Sequence, residues 1–343
     1  MPKNKLFYVL LSVAVSVILI WFLLSQIESQ DLVQTFSRIH YPTLCAYMAI
    51  SLMGAGLRAW RYRWLLLPYQ ISWRDILLVT FIRNLFVDLF PSRLGSLSYI
   101  YLLNKRLYFS FEAATSTFLM AVIFDFITLS PFLLVSIFAV GFHSSPLPFS
   151  TLILLSLLFF MVIFLILWKI TQIFSFLLRA YEVLLKAFKK ESKRWAKITV
   201  EKIRLTTECL FEIKKRKILW PLFSLSLFIR LAKYISIYFL FVSLLRSFGF
   251  SFKQISFWKT ILGTTGAELT SALPIKGIGG FGTWESAWAL TFRLMNFEPR
   301  LAIISGIGVH LIANLFEYSL GIAAILLLAL PFMRKIIKKP QKT

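Results

Sequence analysis

The sequence predicts an all-α polytopic membrane protein: about six full spans plus two opposed re-entrant helical hairpins in an inverted repeat. Three observations carry this prediction. Apolar residues make up 58% of the 343, in runs that reach the roughly 20 residues a bilayer crossing needs. Two of the apolar regions are broken at their middles by Pro and Gly. The bases are shared unevenly among the segments between the runs.

Full spans are read at 6–25, 42–60, 113–141, 149–168, 218–246 and 301–330. The first opens with Lys3 and Lys5 and then turns apolar, as a signal peptide does. Its apolar stretch is long for such a peptide and no small-residue cleavage site follows, so it is read as a retained span. The segments between the runs are too short or too basic to bury a core of their own. Residues 1–343 therefore read as a single transmembrane domain.

With the N-terminus in the cytoplasm and the sides alternating at each full span, 27 of the 38 bases fall inside and six outside. The remaining five lie within hydrophobic segments. This bias puts both termini on the cytoplasmic side of the membrane. Fourteen bases lie in 169–217, interleaved with Phe174, Leu177, Tyr181, Leu184, Phe188 and Trp195. That interval reads as a basic cytoplasmic amphipathic segment on the inner leaflet.

The two interrupted regions are 75–106 and 257–296. On this topology the first has both ends in the cytoplasm and the second has both ends outside, so one hairpin enters from each face. Each has a full span before and after it. Residues 42–141 form a first repeat of span, hairpin and span, and 218–330 form a second, inverted one, an arrangement many transporters use. The turns also resemble each other. LFPSRLGS runs from Leu89 to Ser96 and ALPIKGIGG from Ala272 to Gly280, each with a Pro, one residue, a base and then glycine.

Non-helical backbone in a bilayer survives only inside protein or beside a watery cavity, because each unmet backbone group facing lipid costs several kcal/mol. Pro91 and Gly95 in one turn, and Pro274, Gly277, Gly279, Gly280 and Gly282 in the other, therefore predict a polar cavity within the bundle. Each return limb starts a helix at membrane depth, where free N–H groups favour an anion. Arg93 and Lys276 sit at those starts. A charge at the bilayer centre costs about 2.5–3.5 kcal/mol, so both are candidate contacts for an anionic lipid headgroup, with snorkelling or internal pairing as the competing roles. Glu285, His310, Glu317 and Asp125 are candidates for charge balance or a proton relay, and Glu285 with His310 is a candidate acid–base pair. His310, Asn314 and Glu317 share one face of the last span. Arg83 and Asp88 read as a structural pair.

Several function classes are disfavoured. The net charge of +23 follows the loops and gathers on no single folded face, which argues for anionic lipid and against nucleic acid. Two cysteines and three histidines show no metal-ligand spacing, so no metal is expected. No nucleotide-binding loop is visible, and no cofactor is expected.

In NLFVDLFPSRLGSLSYIYLLNKRL and ALPIKGIGGFGTWESAW the chain resembles the flippase-like transmembrane domain family of lysylphosphatidylglycerol synthase, over roughly residues 40–330. Pro91, Arg93 and Gly95 match its first motif, and Pro274, Gly280, Gly282 and Glu285 its second. Ser96 stands where the family usually has an acid, and His310 where it commonly has an arginine. The resemblance implies the translocase half alone, with no attached synthase. The expected function is movement of an anionic phospholipid or polyprenyl-phosphate-linked lipid between leaflets by a transporter that is not an enzyme. Two other readings are a non-transporting partner of lipid or cell-envelope synthesis enzymes and an intramembrane lipid-headgroup enzyme.

Overall fold

The computed structural model describes residues 3–141, 148–270 and 277–329. Its regular elements are helical, and no strand occurs among the described residues. Helix α1 (Lys3–Leu24) is followed by the short α2 (Ser29–Ser37), bent from it by 90°. Then come α3 (Tyr41–Leu66), α4 (Trp73–Leu89), a 3-10 turn at Pro91–Leu97, α5 (Ser98–Lys105) and α6 (Phe111–Val140). A long α7 (Phe149–Ala187) leads to α8 (Arg194–Lys215) and α9 (Leu219–Leu245). The described chain closes with α10 (Phe257–Leu269), a 3-10 turn at Ile278–Gly280, α11 (Thr283–Leu294) and α12 (Pro299–Ala329).

Among the described residues, four helical stretches are long and apolar enough to cross a membrane: Phe111–Val140, Ser150–Ala187, Leu219–Phe248 and Pro299–Ala329. The bent α1–α2 pair makes a fifth if it counts as one span. This is a multi-pass membrane protein. The sequence leads one to expect about six spans, and the difference lies largely in α3. At 26 residues it is long enough, about 39 Å at 1.5 Å per residue, but Arg58, Arg61 and Arg63 lower the mean hydropathy of its second half.

Side chains set the helix starts. Ser72, Ser110 and Ser256 accept hydrogen bonds from the backbone N–H groups of Asp75, Ala113 and Lys259, at 3.0, 3.2 and 3.4 Å, capping α4, α6 and α10. Helix α6 stops at Gly141, whose φ of 57° closes it in the left-handed region.

Helix α7 runs for 39 residues, about 58 Å, so its end projects past one face of a hydrocarbon core about 30 Å thick. The basic interval 169–217 is divided between that projecting end, a turn and α8, which returns alongside it. Lys214 Nζ donates to the Trp168 carbonyl at 2.5 Å. Helix α8 also leans on the start of α6, where Ser116 donates to the Thr206 carbonyl at 3.1 Å and Lys202 pairs with Glu112 at 3.0 Å.

Helix α3 packs along α9, α4 against α12, and α10 against α6. At 17 and 13 residues, α4 and α10 are short for a bilayer crossing. The two 3-10 turns touch each other.

The apolar interior forms two clusters. One holds Ala59–Leu66 of α3, Ala114–Phe124 of α6, Leu222 of α9 and Ala324 of α12. The other holds Tyr47 of α3, Ile137 of α6, Leu240–Leu245 of α9 and Leu301–Val309 of α12. These helices pass from one cluster to the other, and charged side chains sit near the changeover. Arg58 lies there on α3, Asp125 on α6, Arg230 and Lys233 on α9, and Glu317 on α12. Charged groups are costly in an apolar interior unless they meet one another, and a layer between two apolar cores brings them together.

Candidate functional site

The turns are built by close backbone approach. A Cβ on Gly95 would stand 1.6 Å from the Phe86 carbonyl oxygen, so only glycine lets the first turn lie against the end of α4. In the second turn Gly280 and Gly282 have φ of 84° and 86°, a region that side chains disfavour. A Cβ on Gly277 would stand 1.8 Å from the Phe281 carbonyl oxygen. That carbonyl accepts a hydrogen bond from Ser16 of α1 at 3.1 Å, so the first helix also braces the turn.

Directly after that turn a polar chain runs into the bundle. Glu285 is fully buried. Its Oε2 accepts the backbone N–H of Gly282 at 2.8 Å and caps α11, and its Oε1 lies 2.7 Å from His310 Nδ1. His310 Nε2 lies 3.0 Å from Asn314 Nδ2, so an amide donor there assigns the Nδ1 proton to the Glu285 side. The Trp284 ring stacks on His310 with centroids 4.7 Å apart.

The charged layer holds a second set of groups. Arg61 is fully buried and donates to Asp125 at 2.7 Å and to Ser226 at 3.0 Å. Arg230 donates to the Asp125 carbonyl, and Lys233 pairs with Glu268. Tyr234 hydrogen-bonds Thr265 at 3.0 Å. Glu317 shares a hydrogen bond with Asp88 and faces Arg58, Arg83 and Lys233. Arg58 and Arg83 both donate to Asn84 Oδ1, at 2.8 and 3.3 Å.

Of the residues singled out in the sequence, the structure brings Glu285 and His310 together and places Asp125 and Glu317 in the charged layer. Gly95, Gly277, Gly279, Gly280 and Gly282 line the turns. Pro91 opens the first 3-10 turn. The Arg93 side chain, Pro274 and Lys276 lie outside what the structure describes. Arg58 and Arg61, read from sequence as loop bases, are built into α3. Arg83, Arg230 and Lys233 are three of the five bases left inside hydrophobic segments, and that count was the signal pointing to them.

Over residues 9–321 the chain matches the family described as the lysylphosphatidylglycerol synthase TM region. The chain belongs to this family. No curated protein matches it, and no solved structure does. Membership of this family is consistent with a membrane protein related to lipid handling. The match spans both broken turns, the Glu285–His310 chain and the charged layer.

Proposed function

We propose that this member of the lysylphosphatidylglycerol synthase membrane-domain family is a lipid translocase and not an enzyme. It moves an anionic phospholipid or a polyprenyl-phosphate-linked lipid between leaflets of the inner membrane, with both termini in the cytoplasm. The observation that carries the reading is the contact between the two broken turns within the bundle. Broken helices in a bilayer need a polar cavity beside them, and their meeting supports a cavity between two opposed hairpins.

The inverted repeat is part of the same reading. Exchange α3 with α9, α4 with α10, α5 with α11 and α6 with α12. The α4–α12 packing then becomes α10–α6, and α5–α6 becomes α11–α12. This agreement supports two like units of opposite sense. Rocking of one unit against the other would open the cavity to each leaflet in turn. Arg93 and Lys276 are the headgroup contacts that the sequence nominates, and Glu285, His310 and Glu317 handle compensating charge.

The Glu285–His310 pair favours one rival, an intramembrane enzyme working on a lipid headgroup. Mass spectrometry of lipids that co-purify in mild detergent separates the two, with wild type beside Arg93→Ala/Lys276→Ala. The translocase reading expects one anionic lipid, chemically unchanged, enriched in wild type and lost in the double variant. A lipid of altered mass that accumulates with wild type alone would favour the enzyme. The same bulk lipids in both samples would remove the headgroup role of the hairpin bases.

A further inference from the structure

We propose that Arg58 and Arg83, joined through Asn84, form an anion clamp that takes the phosphate of the transported lipid. The proposal rests on the translocase reading and deepens it. It places the headgroup contact on guanidinium groups of α3 and α4, in addition to the bases of the turns.

The geometry is unusual for a structural pair. Two guanidinium groups from different helices converge on one neutral amide oxygen, at 2.8 and 3.3 Å. Neither is in an ion pair among the described residues, whereas Arg61 has Asp125 and Lys233 has Glu268. The Nε atoms of Arg58 and Arg83 are buried and have no hydrogen-bond partner. Two of the nitrogens of the neighbouring Arg61, Nε and Nη2, are likewise unpartnered, and that side chain is fully buried. Like-charged groups held together in an apolar interior repel one another, and each unmet donor adds a desolvation cost. Both costs fall when an anion with several acceptor oxygens enters. A phosphate offers those oxygens in a shape that the guanidinium fork matches with two hydrogen bonds at once.

The surrounding charges agree with this. Five bases, Arg58, Arg61, Arg83, Arg230 and Lys233, face four acids, Asp88, Asp125, Glu268 and Glu317. The described side chains of the layer thus carry surplus positive charge, and a phosphate supplies what balances it. The same chemistry is present in a lipid headgroup and in free phosphate, so the test carries both.

Purified full-length protein in mild detergent is titrated calorimetrically with dioctanoyl phosphatidylglycerol, inorganic phosphate and dioctanoylglycerol. The clamp expects the phospholipid to bind and dioctanoylglycerol not to bind. Arg58→Gln and Arg83→Gln should each weaken phospholipid binding by roughly tenfold or more, the scale of one lost charge-assisted hydrogen bond. Melting temperature is read alongside. Losing a guanidinium that is in no ion pair among the described residues and whose Nε is buried without a partner should leave it unchanged or raised, whereas a purely structural arginine would lower it. If a glutamine variant does not fold, Arg58→Lys and Arg83→Lys replace it. They keep the charge without the fork, and weakened binding in them supports the clamp. Wild-type affinity in variants that fold overturns the clamp and leaves the translocase reading standing. Arginine-dependent binding of inorganic phosphate without phospholipid binding keeps the clamp and overturns the translocase reading.

Discussion

Glu285 holds His310 and the start of α11 with its two carboxylate oxygens, one 2.7 Å from the ring Nδ1 and the other 2.8 Å from the Gly282 nitrogen. One side chain thus fixes both the start of α11 and its docking on α12. Because the two bonds share one carboxylate, loss of the acid disturbs the turn and the helix contact together.

Replacing Glu285 by Gln and His310 by Gln, singly and together, measures that link. The pair is buried and in direct contact, so a double-mutant cycle on unfolding should give a coupling of about 1–3 kcal/mol. Additive single effects would show that the carboxylate acts on the turn alone.

Asp125→Asn leaves Arg61 buried without its carboxylate. Removing one partner of a buried pair costs about 3–5 kcal/mol, and the lower end applies because the Asp125 side chain is 31% exposed. Thermal unfolding in detergent reads the loss. The partly exposed pair between Lys202 and Glu112 supplies the contrast, since Lys202→Ala should cost only about 1 kcal/mol.

Gly95→Ala places a methyl group against the Phe86 carbonyl, an obstacle in the backbone that cannot turn aside. Overpacking of this kind costs about 1–3 kcal/mol, and a backbone obstacle puts Gly95 at the upper end. Gly56→Ala, where nothing stands within 4 Å of the added Cβ, is the control and should leave the melting temperature in place. Equal melting temperatures for the two variants would mean that the turn does not depend on close packing against α4.

The helical class and the positions of the breaks were legible because length, hydropathy and Pro–Gly placement are local properties. The matched glycine turns and the candidate pairing of Glu285 with His310 followed from the same reading. The clamp residues were harder to see. Arg58 and Arg61 sit near the end of an apolar run, where positive-inside counting assigns bases to a loop, yet α3 continues to Leu66 and carries them inward. The role of Asn84 in joining two arginines depends on how α3 meets α4. Spacing along one helix does not contain that packing. The basic interval reads locally as amphipathic, but its division into the end of α7 and an antiparallel α8 depends on a turn after Ala187.

Leaflet exchange itself tests the central claim most directly. Vesicles carrying a fluorescent phosphatidylglycerol on both leaflets are treated with an outside quencher, with and without reconstituted protein. The account predicts that vesicles containing the protein lose nearly all their fluorescence, because inner-leaflet lipid is carried out to the quencher. If about half the signal stays protected, as expected for sealed vesicles without protein, the chain does not translocate this lipid and the account of its function is contradicted.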